Sequence, residues 1–133
     1  MNSCNKKHTI YTGETVGIVL AMYEDDGLTP ISVEDKEIRI VIAQGSEVVK
    51  LYQNPMPLSE PEAGFDIPYS QISKIEGNKI LINFKPEDTK DLDGVYDIQV
   101  MQVTATEEGE IDTSVIGVFS NILEIKYAIV GKI

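Results

Sequence analysis

The sequence predicts an all-β protein, an immunoglobulin-like antiparallel β-sandwich of about eight strands with one short helical turn. Three observations predict this fold. Apolar and polar residues alternate with a period of two, glycine-containing turn signals separate the alternating segments, and no segment has the apolar spacing of a long helix. A chain of 133 residues can bury one ordinary core without disulfides. We therefore expect a polar tail at residues 1–7 and a single domain over residues 8–133.

Each alternating segment predicts one half-buried strand. In the clearest segment, residues 37–43, three isoleucines alternate with Glu37, Arg39 and other residues, which predicts one buried face and one face in water. The other predicted strands are marked by Val16, Ile18, Leu20 and Met22; by Val49 and Leu51; by Ile80, Ile82 and Phe84; by Tyr96, Ile98 and Val100; and by Leu123, Ile125, Tyr127 and Ile129.

Turn chemistry separates these strands. The dipeptides that tolerate positive φ are Asp26-Gly27, Gly45-Ser46, Gly77-Asn78 and Glu108-Gly109.

Two segments depart from the strand pattern. Residues 54–68 contain four prolines, which predicts an irregular connection because proline donates no backbone hydrogen bond. Pro86, followed by acidic residues, predicts the short helical turn, with Leu92 closing the end of the core.

Residues 92–98, Leu-Asp-Gly-Val-Tyr-Asp-Ile, fit the bend that leads into the sixth strand of an immunoglobulin-like sandwich. In that bend the hydroxyl of Tyr96 hydrogen-bonds to backbone upstream. Ile98 then stands where an antibody domain has its second disulfide cysteine, which suits a sandwich that folds with reduced thiols. The alternative is that Tyr96 is an ordinary strand aromatic with an exposed hydroxyl.

With its surroundings, this bend resembles a family of bacteriophage structural domains similar to the amino-terminal domain of baseplate upper proteins in tailed phages. The resemblance covers about residues 8–119. It is carried by Gly13, Thr15, Pro30, Pro86, Thr89, Leu92, Gly94, Tyr96 and the late Gly117-Val118-Phe119. It implies a structural role in a virion through contacts with other virion proteins, with self-association as a further option. Physical reasons accompany the family positions: Gly13 and Gly94 permit reversals of the chain, and the Thr89 hydroxyl can cap or brace the helical turn.

Charge limits the classes of partner. Eleven basic and 22 acidic residues give a net charge of −11, which repels phosphate backbones and anionic membrane surfaces, so neither nucleic acid nor a membrane is an expected partner.

The apolar runs are too short to cross a bilayer, and residues 1–9 lack the apolar stretch of a signal peptide. Cys4 is the only cysteine, which excludes an internal disulfide and a cysteine-based zinc site. A reduced thiol in a cytoplasm is expected; an acylated lipoprotein cysteine would need a preceding apolar stretch that is absent.

The sequence predicts no catalytic, cofactor-binding or metal site, and no cofactor. His8 and Cys4 are the only histidine and thiol, and both lie in or near the tail. The acidic runs at residues 24–26 and 107–112 lack the spacing of a dedicated calcium loop, so charged turns are the better interpretation.

The prediction is a non-enzymatic tail or baseplate protein of a phage or prophage virion, assembled in the bacterial cytoplasm. The alternative is a bacterial cell-surface module that binds glycan or protein. Residues 122–130 either pair within their own sheet or extend to a neighbouring subunit.

Overall fold

The computed structural model describes residues 7–54, 69–105 and 111–126. These residues form short and long strands and one helical turn. The elements are β1 (His8–Tyr11), β2 (Val16–Ala21), β3 (Glu37–Gln44), β4 (Glu47–Asn54), β5 (Tyr69–Gln71), β6 (Lys74–Glu76), β7 (Lys79–Phe84), α1 (Pro86–Thr89), β8 (Gly94–Ala105) and β9 (Ile111–Lys126). The predicted all-β class is confirmed, with nine strands in the described ranges instead of about eight.

The strands form two sheets. One has the order β1-β9-β8-β3-β4-β5 and the other the order β2-β7-β6. Strands β2, β7 and β6 hold the B, E and D positions of an immunoglobulin-like sandwich, and β3, β8 and β9 hold the C, F and G positions. Two edge pairs, β1 with β9 and β4 with β5, are parallel, although antiparallel neighbours were predicted. Neither pair is joined by a hairpin, so no tight turn imposes opposite directions on them.

The core lies between the two sheets and consists of alternate residues from each, as the period-two pattern predicts. Its fully buried members include Ile10, Ile18, Leu20, Ile38, Ile40, Ile42, Ile80, Ile82, Phe84, Ile98, Val100, Leu123 and Ile125. Tyr52 and Phe84 meet across the sheets in an edge-to-face arrangement, with ring centroids 5.9 Å apart. Ile98, at the position of the antibody cysteine, is part of this core, so packing replaces the covalent bond there.

The prediction of a wet outer face on β3 is wrong. Arg39 is only 3% exposed and Val41 only 7%. The Nε atom of Arg39 donates to Oε1 of Gln53 at 3.0 Å, and Nε2 of Gln53 donates to Oε2 of Glu37 at 2.6 Å. The physical reason is that β3 lies inside the six-stranded sheet, where long side chains from β4 and β8 flank it on both sides. Residues on such a strand can be buried on either face.

Turn predictions within the described residues are confirmed. Gly27, Gly45 and Gly77 have φ values of 72°, 62° and 62°, in the region that glycine tolerates best. The short helical turn begins at Pro86, as predicted. Strands β5 and β6 were not predicted, because three residues are too few to show a period of two.

Several predictions lie outside the described residues. They are the polar tail over residues 1–6 with Cys4, the proline-rich connection over residues 55–68, the Glu108-Gly109 turn, and the strand positions Tyr127 and Ile129. Of the carboxyl-terminal stretch, the part as far as Lys126 pairs within its own sheet, between β1 and β8.

Aspartate substitutions at a buried and at an exposed strand position test which side chains point into the core. Ile40→Asp should reduce the free energy of unfolding by more than about 4 kcal/mol, because it buries a carboxylate that has no partner. Asn83→Asp, on the exposed face of β7, should change it by less than about 0.5 kcal/mol. Urea unfolding followed by circular dichroism measures both values, and equal effects would contradict the assigned faces.

Candidate protein-protein interface

Seven of the eight motif residues predicted from the sequence lie at one end of the sandwich. Val16 of β2 pairs with Phe84, so the β1–β2 turn lies beside the start of α1. Gly94 pairs with Ile125 and Tyr11 pairs with Lys126, so the start of β8 lies at the same end. Pro30 does not join them: it forms an isolated bridge with Tyr23 in the β2–β3 connection, at the opposite end. The motif therefore marks one closed end of the fold.

The bend before β8 is held by the Tyr96 hydroxyl, as predicted. The backbone N–H of Asp93 donates to Oη of Tyr96 at 2.9 Å, and the hydroxyl donates to the carbonyl oxygen of Asp93 at 3.1 Å. The same carbonyl accepts a hydrogen bond from Nε2 of Gln44 at 3.2 Å. Gly94 has a φ of 114°, and a Cβ there would lie 2.5 Å from Nε2 of Gln44. A side chain at position 94 would therefore strain the backbone and displace Gln44.

The expectation that Thr89 braces the helical turn is wrong. Within the described residues, its buried Oγ1 has no hydrogen-bond partner. Asp88 braces the turn instead: its Oδ2 accepts from the backbone N–H of Lys85 at 2.7 Å, and its Oδ1 lies 3.6 Å from Nζ of Lys50. A carboxylate is the stronger acceptor at the first turn of a helix. Leu92 packs against the core from this end, as predicted.

The β1–β2 turn is closed by Glu14. Its Oε1 accepts from the backbone N–H of Tyr11 at 2.8 Å, and its own N–H donates to the carbonyl oxygen of Tyr11 at 3.1 Å. Gly13 adopts a φ of 92° in this turn, which explains the glycine. Thr15 is exposed, and its side chain has no role that the structure explains. Sequence reasoning did not identify Glu14 as the residue that closes the turn.

At the opposite end, Asp26 holds the β2–β3 connection. Its Oδ1 accepts from the backbone N–H groups of Leu28 and Thr29, each at 2.8 Å, and its Oδ2 accepts from Oγ1 of Thr29 at 2.6 Å. These hydrogen bonds, that from the Thr29 hydroxyl foremost, lower the pKa of Asp26. Both carboxylate oxygens therefore bind the turn's own donors, which supports the interpretation of a charged turn. Leu28 projects from it, 81% exposed.

The edge of β9 is the feature best suited to bind another protein. In the described part of the chain, β1 pairs with β9 only from Leu123 to Lys126, so residues 111–119 have a neighbouring strand on the β8 side alone. Val115 and Val118 in this stretch are 49% and 43% exposed. No charged residue occurs over residues 113–123. Proteins usually protect a free strand edge with charges, proline or a β-bulge, and over residues 113–119 this edge has an irregularity at Ile116 but no charge and no proline.

Sequence reasoning missed the first half of β9 because two irregularities interrupt its alternation. Val100 and Met101 of β8 face Gly117 and Val115, so Ile116 is an extra residue in β9. A second irregularity lies near Asn121, which has a φ of 54° and whose N–H donates to Oδ1 of Asp97 at 2.6 Å. The single extra residue at Ile116 reverses which positions point inward, whereas the second irregularity adds two residues and leaves Phe119 and Leu123 on the same face. The β-prone run Val115-Ile116-Gly117-Val118-Phe119 was the signal available.

No protein-family model matches the chain, and no curated protein matches it either. Among the described residues, no helix is both long and apolar enough to cross a membrane. The same residues contain no group of three or more histidine, cysteine, aspartate or glutamate side chains that could hold a metal ion. The candidate site that the geometry supports is the edge of β9 over residues 111–119, where the described chain places a strand on one side alone and exposes Val115 and Val118.

Two tyrosines allow a matched test of the bend. Tyr96→Phe should reduce the free energy of unfolding by about 1–2 kcal/mol, because both hydrogen bonds to Asp93 are lost. Tyr52→Phe should leave it within about 0.5 kcal/mol or raise it, because Oη of Tyr52 is buried without a partner among the described residues. Burial, together with the nearby Asp88 carboxylate, raises the pKa of Tyr52. Chemical denaturation of both variants measures the difference, and equal losses would show that the bend does not depend on the Tyr96 hydroxyl.

The Asp26 turn has a defined pH dependence. Because its folded pKa lies below the ordinary value of 3.8, the carboxylate contributes stability above that pH and loses its contribution as the pH falls through the folded pKa. Thr29→Val removes the largest cause, so we expect the pKa of Asp26 to rise toward 3.8. Carboxyl carbon NMR titration measures this, with Thr15→Val at the other end as the control. An unchanged Asp26 pKa in the Thr29 variant would contradict the assigned cause.

Proposed function

We propose that this chain is a non-enzymatic structural protein of a phage or prophage virion, in the tail or baseplate, and that it acts through protein-protein contacts made by the edge of β9. The observation that carries the binding role is the uncharged free edge over residues 113–119, with its two exposed valines. The tail or baseplate assignment comes from the sequence resemblance alone.

An exposed strand edge offers backbone donors and acceptors to any extended segment that approaches it. Adding a strand to such an edge is a common mode of protein recognition, in which backbone hydrogen bonds give affinity and side chains give selectivity. Val115 and Val118 would supply the apolar contacts beside those hydrogen bonds. Thr113 and Ser114, both exposed, add no charge that a partner would have to neutralise.

The rest of the domain suits a rigid assembly unit. Its motif end is closed by the hydrogen bonds of Tyr96, Asp88 and Glu14, and its other end by those of Asp26. Ile98 makes the core independent of disulfide formation, which favours folding in a reducing cytoplasm, where phage particles assemble. A rigid unit loses little conformational entropy when it binds, so a modest contact area can suffice.

The proposal is tested by locating the chain in the organism that encodes it. Phage particles from an induced culture should contain the chain in fixed proportion to other virion proteins after density-gradient purification, as measured by quantitative mass spectrometry. Val115→Lys should reduce its incorporation, because a charge at the apolar edge must be desolvated on binding.

The control for incorporation is Val19→Lys on β2, where the valine is similarly exposed, at 45% against 49% for Val115. This variant should be incorporated normally. Recovery of the chain in the cell envelope, with none in purified particles, would refute the virion role and favour the cell-surface alternative.

A further inference from the structure

We propose that two copies of this chain pair through their β9 strands, antiparallel and related by a two-fold axis near Val115, so that two six-stranded sheets join edge to edge. This inference rests on the proposed assembly role. The partner that binds the β9 edge is a second copy of the chain. The inference depends on three properties of β9 in the described ranges: residues 111–119 lack a neighbouring strand on one side, residues 113–123 carry no charge, and two valines are exposed.

The free side of β9 is long enough to pair. In the described ranges, residues 111–119 have no strand on the side away from β8, whereas the edge strand β1 has four residues and the edge strands β5 and β6 have three each. The edge strand β2 is the competitor, with six residues. It exposes one valine, Val19, and at Gly17 it presents no side chain to a partner. Strand β9 therefore offers the longer edge and the larger apolar contact.

Electrostatic repulsion limits which surfaces of two identical copies can come into contact. Each copy carries a net charge of −11, so most pairs of surfaces repel each other. Along β9, Asp112 and Glu124 are the nearest charged residues on either side of an uncharged run. A two-fold axis near Val115 pairs the uncharged residues 113–117 of the two copies, and each Asp112 then faces Val118 of the other copy instead of another charge. An interface of this kind is self-complementary, as most homodimer interfaces are.

The exposed side chains of β9 also favour a two-fold axis near Val115. Val115 is the most exposed apolar residue described on β9, and the axis places the two Val115 side chains beside each other on one face of the joined sheet. Cross-strand pairs of β-branched residues stabilise such a contact, and like charges facing each other destabilise it. Position 115 is therefore where a substituted charge should affect pairing most.

The test is sedimentation equilibrium of the purified full chain over a concentration series. Wild type should form a reversible dimer. Val115→Lys and Val115→Glu should each weaken dimerisation at least about ten-fold, because each dimer then contains two like charges at its centre. An equal mixture of the two variants should restore dimerisation, because lysine then faces glutamate. Higher salt should strengthen the wild-type dimer, because the remaining surfaces repel each other electrostatically.

Val19→Lys and Val19→Glu are the matched controls and should leave dimerisation unchanged. Circular dichroism of every variant confirms folding. A wild-type chain that stays monomeric at millimolar concentration would overturn the inference, as would loss of dimerisation in the Val19 variants alone or failure of the mixture to dimerise. If the chain is found in particles but does not self-associate, this inference fails and the proposed function stands.

Discussion

The pairing of β8 with a neighbour on each side is the constraint on which the rest of the fold depends. β3 hydrogen-bonds to one edge of β8 and β9 to the other, and the inward side chains of β8 reach the centre of the core. The starting point of β8 is set by the hydrogen bonds between Tyr96 and Asp93. Because the bend fixes where β8 begins, it also fixes the register of both neighbours and the face on which Ile98 is buried.

Features that depend on adjacent residues could be predicted from the sequence. The isoleucines of β3 and β7, the turn glycines, the proline that begins α1 and the bend at Tyr96 all have local causes. Features that depend on distant neighbours could not be predicted. Arg39 is buried because β4 and β8 flank it, and Asp88, not Thr89, braces the helical turn because the carboxylate reaches the free N–H of Lys85. The interrupted alternation of β9 hid the candidate interface in the same way.

The two sides of β9 have different roles. Towards β8 the strand completes the central sheet, and its inward residues Phe119, Leu123 and Ile125 are buried. Away from β8, its first half exposes valines in an uncharged stretch. The extra residue Ile116 makes both roles possible. It shifts the alternation so that Val115 and Val118 lie on the exposed face, whereas Gly117 and Phe119 lie on the buried face. A strand built in this way can serve the core and still present an apolar edge.

The parallel pairing of β1 with β9 has a mechanical consequence. His8 to Tyr11 run beside Leu123 to Lys126 in the same direction, at the two ends of the described sandwich in sequence. Tension applied through the preceding and following chain would slide the two strands past each other, so the load falls on all of their hydrogen bonds together. Under such shear the bonds must break in one step, whereas peeling would break them singly. Parallel pairing of β1 and β9 therefore gives the described sandwich more resistance to tension along these strands than a pair loaded from one end would give.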